Sequence, residues 1–385
     1  MELKVQVTVS ISDTDIKSIV GLIVTGVTSE LIAQGLPLPL PVPLPLPLPL
    51  PVTPPREILT LKPGIDVLAA LTELQVKKGP YKGMFLVAPA GVGNWYFANL
   101  GLQGIIPYMD NSALEALIRP YLDLYISKLR SDYTIDDVGF PGGIDFPETT
   151  VLHISDSDDS YASTFTSLVL LYVKASGNTA WWNSNSVVIN EIMTRNCLIP
   201  IKPNNLTSTF TPTNIQKIWD VGYFMDNCEV YRGLRDAATL NKDNVAVANT
   251  FSAGADRIAV GLRGLWAETG FRYADAAPIL RTTDKALYPD GACQVFAEAF
   301  GVTELRDLFD KSYTYLNNSF PGWETGNLDA FPFAVLGYVS ALRQDFTRAK
   351  TQVSIIEEKF TLSRPHITLN ELGWYSKTRA IVQVT

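Results

Sequence analysis

The chain has 385 residues, 46% of them hydrophobic and 18% charged, enough apolar material for a large core and too little charge for wholesale disorder. With 31 basic against 39 acidic residues, a formal charge of −8 and no basic run, it lacks the clustered Lys and Arg that nucleic-acid binding requires. Cys197, Cys228 and Cys293 lie far apart, which argues against a disulfide framework or zinc site and makes them reduced, buried thiols, and with only His153 and His366 present any acid–base chemistry falls to carboxylates and tyrosines.

Residues 3–11 alternate polar and apolar and predict a strand, with 13–34 a further strand and short helix. This arm, 1–35, carries no basic region leading into an apolar core, so no signal peptide is expected. The apolar run Ile19–Val27 is too short to span a bilayer. Localisation is otherwise open: synthesis in the cytoplasm, with incorporation into an extracellular assembly or virion as one outcome. In the next segment, 36–56, proline occupies every odd position from Pro37 to Pro51. Alternating proline removes backbone donors and fixes φ, predicting an extended polyproline II-like rod that serves as a linker or, through its intervening Leu and Val residues, a docking strip.

From residue 57 the chain reads as one helical domain. Helices are predicted over 65–77, 89–103, 112–130, 159–176, 185–196, 225–241, 243–268, 290–300, 303–317, 327–343 and 345–359, joined by Gly-, Pro- and Asn-rich turns. Eleven helices are one short of six hairpins, so the fold class expected is mainly α, an (α/α)6 toroid of inner and outer helices. Ser160–Tyr172 and Phe331–Leu342 are apolar nearly all round, as inner helices should be, whereas Glu304–Lys311 and Thr347–Lys359 carry charge on one face, as outer ones should.

Four acidic segments recur at predicted helix starts: Asp156 to Asp159, Asp226 with Glu229, Asp290, and Asp329. Carboxylates cap the orphan N–H groups of a first turn and face the positive end of the macrodipole. On parallel inner helices they would gather at one rim. Asp156, Asp158 and Asp159 repel one another, which in a partly buried site raises at least one pKa and makes a general acid. Plain helix capping and a calcium site of carboxylate oxygens are the competing readings. Glu229 stands one turn below Asp226 and either points into the same funnel or pairs with Arg232 or Arg235. Tyr288 precedes Pro289-Asp290, where substrate contact and capping are equally open. Trp323 beside Glu324 pairs an indole for stacking with a carboxylate, and Trp95 and Trp219 are further stacking candidates.

These segments, Asp156 to Ala162, Met225 to Leu234, Tyr288 to Gln294 and Asp329 to Ala334, together resemble the six-hairpin glycosidase superfamily, in particular its bacterial and phage-associated members. The resemblance spans roughly residues 80–360. It implies an (α/α)6 barrel and glycoside hydrolysis by paired Asp or Glu residues, in many members with inversion, although lyases, epimerases and phosphorylases share the superfamily. The expected catalytic residues are Asp156, Asp158, Asp159, Asp226 and Asp290. Tyr161, Glu229, Tyr288, Trp323, Glu324, Trp95 and Trp219 are expected to bind substrate. The partner is a carbohydrate, with no cofactor and no metal. The alternative is an assembly protein, a filament, virion or surface-layer subunit, that keeps the toroid and self-associates through residues 1–55. A polysaccharide lyase using Tyr161 and His153 is a third option.

Overall fold

The computed structural model describes residues 58–59, 64–144, 149–214, 220–277, 280 and 285–383. The strand-bearing arm and the Leu-Pro rod lie outside these residues, as does Trp219.

Among the described residues twelve helices follow one another: α1 (Val67–Leu74), α2 (Trp95–Ile105), α3, α4 (Asp159–Ser176), α5 (Thr179–Met193), α6 (Phe224–Leu240), α7 (Val245–Arg263), α8 (Cys293–Ala299), α9 (Arg306–Ser319), α10 (Val335–Leu342), α11 (Phe346–Leu362) and α12 (Leu369–Val382). Helix α3 runs through Asn111–Ala113, a π turn at Leu114–Ile118 and Arg119–Lys128. Pro120 lacks the N–H that an unbroken α ladder needs, and the wider turn precedes it.

Helices α2, α4, α6, α8, α10 and α12 each pack against the next, and α12 packs back on α2, closing an inner ring of six. The intervening helices return the chain on the outside, and α1 packs on α12, so the first and last helices form the sixth hairpin. Mainly helical architecture and the (α/α)6 toroid are thus as the sequence predicts. Ring closure depends on close backbone approach: a Cβ on Gly104 of α2 would lie 2.0 Å from the Gly373 carbonyl oxygen of α12. Only glycine lets the two backbones meet so closely.

The helix missing from the sequence reading is α12. Its residues are buried almost all round, Leu369, Glu371, Leu372, Gly373, Trp374, Tyr375, Ser376 and Thr378 among them, so no apolar stripe marks it. Several boundaries also move: α5 begins at Thr179 instead of 185, α7 ends at Arg263 instead of 268, and two further shifts bear on the site. Residues 89–94 are not helical, because Gly93 bridges Leu86 and Val138 and the helix starts behind Asn94, whose side chain accepts the Phe97 N–H. Residues 327–334 form a bent approach to α10, so Asp329 accepts the Phe331 N–H in a turn instead of opening the helix. Short antiparallel pairs, β1 (Asp137–Gly139) with β2 (Val151–His153) and β3 (Trp266–Ala267) with β4 (Gly270–Phe271), fill loops. No described helix is long and apolar enough to cross a membrane.

Candidate active site

Because the inner helices run in one direction, their N-terminal turns share one end of the ring. There they enclose a cavity of about 450 Å³. Its walls are Tyr96, Phe97 and Leu100 of α2, Met225 and Asp226 of α6, Tyr288, Ala292 and Phe296 at α8, Asp329 to Val335 at α10, and Asn370, Glu371 and Trp374 of α12. Val87, Phe97, Phe331 and Thr368 are shared with an outer groove of about 590 Å³ that also reaches Asp137, His153, Ile154 and Asp156.

One wall is acidic. Asp226, in the first turn of α6, is partly exposed to the cavity; Glu229 one turn deeper and Asp159 at the start of α4 are buried behind it. The Tyr96 hydroxyl donates to Glu229 Oε1 at 2.7 Å, and its ring stacks on Tyr161 at 6.0 Å. Asp159 Oδ1 accepts the Ser160 N–H at 2.8 Å. Asp159 Oδ2, Ser160 Oγ and Glu229 Oε2 are buried without an aligned hydrogen-bond partner among the described residues. Burial, then repulsion from Asp226, holds the Asp159 and Glu229 carboxyls well above the usual range, and the nearby Ser160 and Tyr96 hydroxyls only partly offset this for Glu229. Burial, with Asp156 nearby, raises Asp226 to about 7. A first-turn position favours the charged form through the macrodipole, but here desolvation outweighs it.

The opposite wall holds Glu371, with Asp329 nearby. Glu371 of α12 takes the Ala334 N–H at 2.5 Å and a second bond from the Phe333 N–H. Phe333 adopts φ 49°, a left-handed conformation uncommon for a bulky residue, which helps aim the two N–H groups together. Burial raises Glu371 to about 7, against the pull of these donors and of Lys359. Around the ring of six, α6 and α12 are three places apart, so Asp226 and Glu371 occupy opposing walls of one cavity.

The other sequence candidates sit as follows. Asp156 is exposed in the groove. Asp158 turns away from the cavity: its oxygens accept the Thr211 N–H at 2.9 Å and Asn214 Nδ2 at 3.0 Å, tying α4 to the 209–214 loop. Asp290 is buried, accepts the Ala286 N–H at 3.0 Å and lines neither cavity nor groove. Tyr161 is buried and bonded to Asp137 and Asn94, at 2.8 and 2.6 Å. Tyr288 lines the cavity, stacked on Phe333 at 5.5 Å with the rings 2° apart.

Two tryptophans need correcting as stacking surfaces. Trp95 is fully buried against Tyr121 and Tyr125 and donates to the Asp136 carbonyl, and Trp323 is fully buried with its indole N–H on Asn317. Neither offers a free face. Glu324 faces Arg348 of α11 at 3.8 Å and does not line the cavity. All three cysteines are free and buried.

Sequence reasoning missed Glu371, Tyr96, Asn370 and Asp137, and it left Trp374 among the core tryptophans. Thr368-Leu369-Asn370-Glu371 does carry the Thr-x-x-Glu spacing of a capping box, and Thr368 Oγ1 accepts the Glu371 N–H at 3.3 Å. The Glu371 side chain reaches across to α10 instead of back to its own cap. Asp137, raised to about 7 chiefly by burial, holds Asn94, Tyr161 and the Trp95 N–H behind the groove.

No protein-family model matches the chain, and no curated protein matches it. Solved structures do. A wild-type glycosidase aligns at TM-score 0.53 and 11% identity, over 83% of this chain and 95% of its own. A glycosidase variant aligns at 0.54 and 13%, over 83% and 94%. Another variant, in complex with glucose, aligns at 0.50 and 12%, over 83% and 95%. At such identities the likeness speaks to architecture: the chain has the fold of these glycosidases, the six-hairpin toroid to which its acidic motifs also pointed.

Proposed function

We propose that the protein is a glycoside hydrolase that binds one end of an oligo- or polysaccharide in the cavity and cleaves it with inversion. Asp226 is the general acid and Glu371 the general base. The observation that carries this reading is the placement of two carboxyls on opposing inner helices, both open to one cavity. An inverting reaction needs its two carboxyls on opposite faces of the sugar, with room for a water beside the base.

The roles follow from the surroundings. Repulsion among Asp226, Asp156, Asp159 and Glu229 favours a protonated Asp226; Glu371 has Asp329 nearby, but two backbone N–H groups and Lys359 favour its charged form. Asp226 gives its proton to the glycosidic oxygen as the bond to the anomeric carbon breaks. Glu371 takes a proton from water as that water's oxygen bonds the same carbon from the other face. Tyr288, Phe331 and Phe333 offer aromatic surface for the sugar's apolar face. That a glycosidase of the same fold is in complex with glucose supports a sugar as the ligand.

The test is digestion of a panel of oligo- and polysaccharides by wild type, Asp226→Asn and Glu371→Gln, with the product anomer read by proton NMR. Loss of cleavage in both variants and an inverted first product are expected. Full activity in either variant, or a retained configuration, overturns the assignment. The lyase reading has little to stand on: Tyr161 is buried and committed to Asp137, and among the described residues no Lys or Arg lines the cavity to neutralise a uronate. The assembly reading rests on residues 1–55, which lie outside the described residues, and nothing among those described favours it.

A further inference from the structure

The cavity is chemically one-sided. Asp226, Asp329 and Glu371 line it, Asp156 stands in the adjoining groove, and neither space is lined by a Lys or Arg among the described residues. The nearest cations are engaged elsewhere. Lys359 Nζ donates to the Gly326 and Ala330 carbonyls at 2.9 and 3.1 Å. Lys377 lies 3.9 Å from the Trp374 ring centroid, and burial, with Arg232 nearby, lowers it to about 7.

The lining also offers acceptors. Asn370 Oδ1 is a buried acceptor without a partner among the described residues, and it adds to the carboxylate oxygens. The remaining walls are aromatic: Tyr96, Phe97, Tyr288, Phe331, Phe333 and Trp374. An ammonium group has three donors and no acceptor, is attracted by aromatic faces, and gains from each nearby carboxylate. A uronate or sulfate meets only repulsion there.

Resting on the reading of this cavity as a glycan site, we propose that it selects a sugar bearing a free amine, an amino sugar with a protonated nitrogen, over its neutral counterpart and excludes acidic sugars. The amine lies between the aromatic face of Tyr288 and Phe333 and the carboxylates of Asp329 and Glu371, away from the acid Asp226.

Isothermal titration of the full chain near pH 7 with glucosamine, N-acetylglucosamine, glucose and glucuronate tests this. Glucosamine is expected to bind at least about fivefold tighter than glucose or the N-acetyl derivative. Added salt should narrow the difference and glucuronate should not bind. Because the ammonium favours ionised carboxylates, glucosamine binding should also release protons, seen as a heat that varies with the buffer. Asp329→Asn keeps the acceptor for the Phe331 N–H and should reduce the preference while glucose still binds. Equal binding of glucosamine and glucose, tighter binding of glucuronate, or a preference unchanged in Asp329→Asn overturns the inference. The first of these with neutral glycans still cleaved leaves the hydrolase standing. Amine-selective binding with no glycan cleaved, amino-sugar polymers included, sinks the hydrolase and leaves the selectivity.

Discussion

On the α4–α6 wall, Asp159, Asp226 and Glu229 crowd together, and two of their oxygens have no aligned partner; across the cavity, Glu371 has one acidic neighbour, Asp329, and collects two backbone N–H groups from the turn before α10. Both Asp226 and Glu371 are raised to about 7, and burial is the first cause in each. What differs is the secondary environment. Like charges push the first wall toward its protonated form, whereas donors and Lys359 pull the second toward its charged form. Two carboxyls of similar titration thereby acquire opposite roles, as a proton donor and a proton acceptor require. Asp158 is a useful third case: one residue from Asp159, its oxygens are bonded to Thr211 and Asn214, and it serves the fold.

The largest expected effect breaks the comparison outright. Asp226→Asn and Glu371→Gln should each lower glycan cleavage by roughly 10²–10⁴-fold, measured by reducing-end release, with circular dichroism unchanged. If only one wall responds, the division of labour is wrong.

A stability contrast comes next. Asp158→Ala strands the Thr211 N–H and Asn214 and should cost about 2–4 kcal/mol in urea unfolding. Asp159→Asn removes a repelled carboxyl and should unfold no more easily than wild type at pH 8. A destabilised Asp159→Asn would place that residue with Asp158 as a structural anchor.

The pH dependence sharpens the contrast further. Asp137, Asp226 and Glu371 are each raised to about 7 from ordinary values of 3.8, 3.8 and 4.5. Between these limits the folded state binds more protons than the unfolded one. Stability from these groups is therefore full below about pH 4 and is lost as the pH rises toward 7. Asp132, Asp275 and Asp345, lowered by hydrogen bonds and ion pairs, act oppositely: their contribution is present above the ordinary carboxylate range and is lost below it. A maximum of thermal stability on the acidic side of neutrality follows, to be read from melting temperatures between pH 3 and 8. Asp226→Asn should flatten the falling limb. A wild-type maximum at or above pH 7 would contradict it.

The smallest effect concerns the aromatic surface both walls share. Tyr288→Ala removes the partner of Phe333 from the mouth and should raise KM several-fold with little change in kcat or stability, since Tyr288 is 53% exposed.

Much of this was legible before any coordinates. Inner helices α4 and α10 and outer helices α9 and α11 could be told apart from composition, because a helix buried all round must be apolar all round and one facing water need not be. Of the acids expected at helix starts, Asp226 lines the cavity and Asp329 does so from a turn before α10, whereas Asp158 and Asp290 are bonded into the frame. Asp226 and Tyr288 line the cavity, whereas Trp95 and Trp323 do not, because an indole's neighbours in sequence say nothing about which face of it packs. Glu371 was hidden for a physical reason too: α12 has no polar side, so neither the helix nor its first turn stood out.

The sequence by itself thus determined the kind of ring, its helical content, its acidic mouth and its poverty of histidine, since these depend on local spacing and composition. Only the tertiary structure decided which acids face each other, which are bonded into the frame, and which are left in a low-dielectric wall without partners. Those properties arise from contacts between residues distant in the chain, from 37 positions for Ala334 and Glu371 to 133 for Tyr96 and Glu229, and local pattern does not encode them.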